Sequence, residues 1–340
     1  MTTHKTTVVD DPPTPKPEPT TNHSMTRFAG FAIDAVMPVA TVVLMIYFAV
    51  ESKSFFTSGN LLAVATQNAP IFIVATVAGM LLMAGYVDLS VGSVMAVSGV
   101  AAGLTFNSSG VLAGIVVGIG VGVGVGILNG FLIGYLRLSP IVVTLGLLAA
   151  GRGVAQYLAP EGVYGFPDAV ASFGAGSWLG IPHLVLVALA VALIGLAMMA
   201  ALPFGRHVTA IGVNDRAAFL VGIPVRRIVI GLYIAVGAAA GLAGVLTVAR
   251  LNSAPSGTLG AGFEIAVLTA VLLGGIPFTG GKGSVWRVLL GVWLVGVLAN
   301  GITLLNIGPE VSGIITGSVL VIAAALEGLR YAIRRSGAGR

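Results

Sequence analysis

The chain contains no cysteine, which removes disulfides, thiolate metal sites and thiol chemistry together and leaves the redox compartment open. Charge is nearly as scarce. Only 9% of the 340 residues are Asp, Glu, Lys or Arg, against 56% hydrophobic residues and a mean hydropathy of +1.03. A chain of that composition cannot hide its apolar surface inside a water-soluble globule, so an all-α polytopic membrane protein is expected. Catalytic constellations are missing too. The four histidines, His4, His23, His183 and His207, are scattered without ligand spacing, and the carboxylates do not pair within any motif. The sequence therefore suggests no catalytic residue and no metal site, and nothing in it points to nucleic acid.

What the chain has in abundance is long apolar runs. Segments of roughly 17 to 25 residues, the length that crosses the hydrocarbon core, fall near 30–50, 60–84, 90–106, 111–136, 140–158, 183–202, 227–250, 263–277, 285–305 and 310–328. About ten transmembrane helices are thus expected within a domain spanning 28–333. The run at 263–277 is short and ends in GGIPFTGGKGS, which leaves its boundary weak and a re-entrant or broken helix as the alternative to a full span. Residues 1–27 carry Pro12, Pro13, Pro15, Pro17 and Pro19 among polar residues and read as a disordered cytoplasmic tail. With the N-terminus inside, all but three of the 17 Lys and Arg lie in the cytoplasm, the exceptions being Lys53, Arg152 and Arg250. The positive-inside rule selects that orientation, with both termini cytoplasmic.

Two halves, about 28–160 and 183–333, look alike at matched spacing. AGYVDLSVGSV around Asp88 parallels GAGFEIAVLTAV around Glu264, and LNGFLIGYLRLSP with Asn129 and Pro140 parallels ANGITLLNIGP with Asn300 and Pro309. Five spans per half is an odd number, so the second copy would run upside down, the inverted repeat common in transporters.

Glycine is placed with a period. Gly114, Gly118, Gly122, Gly126, Gly130 and Gly134 form a small-xxx-small ridge for close helix packing. A four-residue step drifts about 40° around a helix of 3.6 residues per turn, so the ridge is expected to meet several partners. GVGVGVG within it lacks the last glycine of a dinucleotide fingerprint. In GGKGS, Lys282 is followed by Gly283 where a P-loop requires Ser or Thr, so this stretch reads as a tight cytoplasmic turn.

The segment 202–227, LPFGRHVTAIGVNDRAAFLVGIPVRR, is a long basic loop in an otherwise membrane-like sequence. Asn214 is a good N-cap, Asp215 suits a first turn, and Gly222 with Pro224 supplies a stop, so a short helix is expected there. Its G-x-N-x-x-A-A-x-x-x-G-I pattern (Gly212, Asn214, Ala217, Ala218, Gly222, Ile223) resembles the cytoplasmic coupling segment of ABC-importer permeases of the ribose and simple-sugar type. A second signature is more specific: Gly85, Asp88, Leu89, Ser90, Val91, Gly92 and Ser93 are similar to the G-x-x-D-L-S-V-G-S element of that family. The LGG…GGKG stretch and the G-x-G-F-E pattern at Gly260, Gly262, Phe263 and Glu264 extend the resemblance over about 28–333.

The resemblance implies a permease subunit of the bacterial cytoplasmic membrane that admits a monosaccharide or related polar solute. It implies an ATP-binding cassette subunit carrying ATP and magnesium, an extracytoplasmic solute-binding protein, and a second permease copy in a homodimer or heterodimer, all within membrane lipid. No cofactor is expected in this chain. The coupling segment would enter a cleft on the ATPase, with Ala217 and Ala218 kept small by the fit. Asp88 reads either as a helix cap or, with Ser90, as part of the pathway or gate. Glu264 is expected at the outer face, capping a helix or pairing with Arg250, while Arg152 snorkels outward. Asn129 and Asn300 serve packing or contact the solute. Permeases for nucleosides or branched-chain amino acids, and an ion-coupled secondary transporter, are the other readings.

Overall fold

The computed structural model describes residues 38–308, and beyond them 311, 313–315, 317–322 and 324–325. The tail 1–27, both termini, Pro309 and part of the tenth expected span lie outside the described residues. Among the described residues, seven helices are long and apolar enough to cross a membrane. These are α2 (Ser58–Met83), α3 (Val91–Ser109), α4 (Val111–Asn129, extended by a π-helical turn, Gly130–Tyr135), α5 (Pro140–Leu158), α7 (His183–Ala201), α10 (Val225–Leu251) and α12 (Val285–Leu304). Shorter apolar helices occupy α1 (Pro38–Glu51), α11 (Phe263–Leu273) and Gly313–Ile322. The 11 residues of α11 rise only about 16 Å, half a bilayer. The reason is local: Gly260 and Gly262 both take left-handed φ, at 69° and 70°, and turn the chain just before the helix begins.

The expected basic loop 202–227 is helical. Pro203 occupies the first turn of α8 (Pro203–Val213), Asn214 breaks the helix with extended backbone, and α9 (Asp215–Leu220) follows. The Asn214 side chain accepts from the Ala217 amide at 2.9 Å, and Gly222 at φ 88° ends the segment. Between α5 and α7 lie α6 (Asp168–Ala175) and the small hairpin of β2 (Ser177–Trp178) with β3 (Ile181–Pro182). Upstream of α6, β1 (Val163–Tyr164) pairs antiparallel with β4 (Ser253–Ala254), tying the segment after α5 to the segment after α10.

The core is built around α10, which packs on α2, α3, α4 and α6. Glycines make that closeness possible. All six ridge glycines of α4 and its π turn are buried, while Gly120 and Gly124 between them meet nothing within 4 Å. A methyl group on Gly114 would strike Phe106, and one on Gly118 would strike Val245 and Ala102. On Gly122 it would hit the Gly237 carbonyl, and on Gly126 the Tyr233 carbonyl. The ridge thus leans on α3 at one end and passes along α10 toward the other, as its angular drift requires. A second cluster of Phe48, Phe55, Val297, Leu298 and Ile302 joins α1 to α12, with Gly301 packed under the Phe48 ring.

Candidate functional site

Asp88 lies in the turn between α2 and α3, where Gly85 at φ 84° reverses the chain. Its Oδ1 accepts from the Ser90 amide at 2.8 Å and from Ser90 Oγ at 2.5 Å; its Oδ2 accepts from Asn129 Nδ2 at 3.2 Å. The same Asn129 amide donates to Ser90 Oγ at 3.0 Å. Helix α3 is entered through Ser90, which makes no side-chain cap, so Asp88 braces the preceding turn rather than the helix's free amides. Ser90 and Asn129 are buried, and Asn129 Oδ1 is left without a hydrogen-bond partner. Tyr233 of α10 secures the turn from below, donating to the Val87 carbonyl at 3.0 Å.

Glu264 lies in the first turn of α11. It is mostly buried and pairs with Arg152 of α5 at 3.6 Å, not with Arg250. Arg152 does not snorkel: its guanidinium also donates to the carbonyls of Leu259 (3.0 Å) and Gly260. The polar stretch after α10 is folded inward with it, as Ser256 is buried and donates to the Ala159 carbonyl. An arginine in the middle of an apolar helix was itself the signal for such a partner, since a charge at that depth is costly unless paired.

These two helix starts meet. Gly92, in the first turn of α3, has no room for a methyl group because the Glu264 carboxylate and the Gly260 carbonyl fill that space. Asp88 and Glu264 consequently line one crevice with Ala78, Leu82, Val87, Val267, Leu268 and Val271. Its cavity volume is about 10 Å³, room for at most about one water. The crevice is closed in this conformation.

Asn300 is elsewhere. It forms a reciprocal amide pair with Asn60, at 3.0 and 2.9 Å, that ties α12 to the start of α2. Asn129 and Asn300, matched in sequence, thus differ in surroundings.

The segment α8–α9 presents an apolar tip, with Val213, Phe219, Leu220 and Val221 each more than two-thirds exposed. Ala217 is exposed, but Ala218 is buried against its own chain, so its small size is set by packing within this subunit. Gly212 also faces inward. A methyl group there would strike the Met83 carbonyl and the Gly281 amide, which are hydrogen-bonded to each other at 2.8 Å. Gly280 packs on Gly85, and both Gly280 and Gly281 have left-handed φ. The GGKG turn therefore joins the end of α2, the end of α8 and the turn after α11 through bare backbone. Tyr86, beside this junction, has its phenol raised above the ordinary value by burial, with the Asp215 carboxylate adding to the rise.

Residues 60–324 match the family of the branched-chain amino acid transport system / permease component. The chain is 31% identical over 294 residues to the D-allose transport system permease protein AlsC of Escherichia coli (strain K12), covering 86% of this chain and 90% of that one. It is 32% identical over 289 residues to the ribose import permease protein RbsC of Bacillus subtilis (strain 168), covering 84% and 89%. With the L-arabinose transport system permease protein AraH of Escherichia coli (strain K12) it shares 31% over 304 residues, covering 88% and 92%. No solved structure matches the chain.

Proposed function

The chain belongs to the family of permease components of the branched-chain amino acid transport system, and from that premise we propose that it admits a monosaccharide through the crevice between Asp88 and Glu264. The similarity to allose, ribose and arabinose permeases supports the cargo class. The observation that carries the route is the meeting of the turns at Gly92 and Gly260, which sets Asp88, from the turn between α2 and α3, and Glu264 of α11 on one closed crevice. Such a break in a membrane helix survives where protein buries it or a polar cavity wets it. Asn129 does not itself line the crevice but donates to Asp88, which does, and keeps its own Oδ1 as an unused acceptor behind it.

In this reading the two halves are an inverted repeat, with the starts of α3 and α11 as the equivalent elements and both termini cytoplasmic. ATP and magnesium sit on a partner ATPase that receives the exposed tip of α9, and a solute-binding protein delivers the sugar from outside. Closure of the ATPases would press α8–α9 and, through the glycine contacts at Gly212, Gly281 and Gly85, shift the turn that carries Asp88 and the turn that follows α11. Few polar side chains face the crevice, so the binding protein supplies most of the selectivity.

The absence of cysteine gives a direct test. Leu268→Cys in the crevice should be labelled by a small charged thiol reagent only during ATP-driven uptake of a sugar by the assembled transporter. Failure to label in every state, with uptake intact, would place the route elsewhere.

A further inference from the structure

A cavity of about 870 Å³ opens beside α9, between the π turn of α4, the start of α5 and the start of α10. It is distinct from the crevice: the two share no lining residue. Arg137, Arg216 and Arg226 line it against a single acid, Asp215. None of these three arginines takes part in an ion pair among the described residues. The fold sets the backbone of one and gives another a ring contact. Arg137 stands at left-handed φ of 60° in the link from the π turn to α5, and Arg226 lies 5.6 Å over the Tyr135 ring, which is itself stacked on Phe131. Ser139 enters α5 without a side-chain cap, so the first amides of that 19-residue helix add their partial positive charge to the same wall.

Apart from the Tyr86 phenol the rest of the lining is apolar, and the apolar surface continues out of the cavity. Leu138, Ile141, Val142 and Leu145 form an exposed stripe up α5, and Phe131 and Tyr135 are exposed beside it on the π turn. A basic recess at the cytoplasmic level, opening onto an apolar stripe at membrane level, has the two-part chemistry of an anionic phospholipid. We infer that this cavity holds the phosphate headgroup of an anionic phospholipid, with its acyl chains laid along α5. A neutral or zwitterionic headgroup leaves the surplus of positive charge unmatched, and a soluble phosphate leaves the stripe uncovered. The bound lipid would touch Phe219 and Asp215 of α9 from the membrane side, linking bilayer composition to the segment that meets the partner subunit. The inference goes beyond the transport reading and rests only on the orientation that puts α8 and α9 in the cytoplasm.

The test uses the full-length permease in nanodiscs that mix phosphatidylglycerol with phosphatidylcholine, followed by mild detergent extraction and native mass spectrometry. Wild type should retain phosphatidylglycerol selectively. The double variant R137Q/R226Q should lose that retention about tenfold or more, while R137K/R226K recovers much of it and Lys282→Gln, an exposed cation outside the cavity, leaves it unchanged. Thermal midpoints in phosphatidylcholine discs establish that each variant is folded. Equal retention by wild type and R137Q/R226Q would overturn the site. Displacement of the lipid by inorganic phosphate at low concentration would identify a free-phosphate site instead, and exclusion of the lipid by a second permease copy would reassign the face to that interface. The readout needs neither sugar nor ATPase, so it can fail without touching the transport reading.

Discussion

Glu264 of α11 meets Arg152 of α5 at 3.6 Å, and the same guanidinium holds the carbonyls of Leu259 and Gly260 in the turn that starts α11. One arginine thus neutralises the acid and fixes the broken helix that carries it. Glu264→Gln removes a charge but leaves those carbonyl bonds. Arg152→Gln strands the buried carboxylate and frees both carbonyls, so it is expected to cost about 3 kcal/mol or more and to exceed the loss from Glu264→Gln. Thermal unfolding of the two variants in detergent decides the order.

Asp88 is expected to depend on its two acceptor oxygens, which together take three hydrogen bonds from Ser90 and Asn129. Asp88→Asn can set an amide donor against the Asn129 amide, costing about 1–3 kcal/mol and lowering uptake. The exchange D88N/N129D restores a donor facing an acceptor. Recovery of stability in the double variant, measured against both single variants, would establish the pair; additive losses would refute it.

The glycine ridge carries an internal control. Leu at Gly122 or Gly126 must push backbone from backbone, whereas Leu at Gly120 or Gly124 enters open space. The first two should lower yield and thermal midpoint sharply, as overpacking at about 1–3 kcal/mol implies, and the second two should leave both near wild type.

Phe219→Asp and Ala218→Trp should fail differently. Phe219 is 68% exposed at the tip of α9, so Asp there leaves the permease folded while an ATPase subunit no longer copurifies. Ala218 is 4% exposed, and Trp must displace its own surroundings, lowering stability before any partner is met. Equal thermal midpoints for the two variants would contradict this division.

A double-mutant cycle on Asn60 and Asn300 should give a coupling of about 0.6 kcal/mol, the ordinary value for a polar pair between membrane helices. Uptake by Asn300→Ala should stay close to wild type, because its amide is spent on Asn60 rather than turned to the crevice. Loss of uptake at unchanged stability would return Asn300 to the pathway.

The sequence alone determined what depends on composition and on neighbours a few residues away. Apolar length announced membrane helices, the four-residue glycine period announced a packing ridge, and Asn214 with Gly222 marked both ends of α9, because a cap is a contact with the next turn. The motifs around Asp88 and Glu264 were visible as well, and so was their likeness to each other. Where those motifs stand was not visible. Orientation counted along the chain put Glu264 at the outer face and turned Arg152 outward, away from any partner, since it assumes that every apolar run crosses completely. Left-handed glycines before α11 shorten that helix by half a bilayer, and only the folded chain brings Gly92 against Gly260, Arg152 to Glu264 and Asn60 to Asn300. Each of those is a contact between residues far apart in sequence, made by the packing of whole helices around α10. No local pattern encodes which buried charge or amide another helix will present to it.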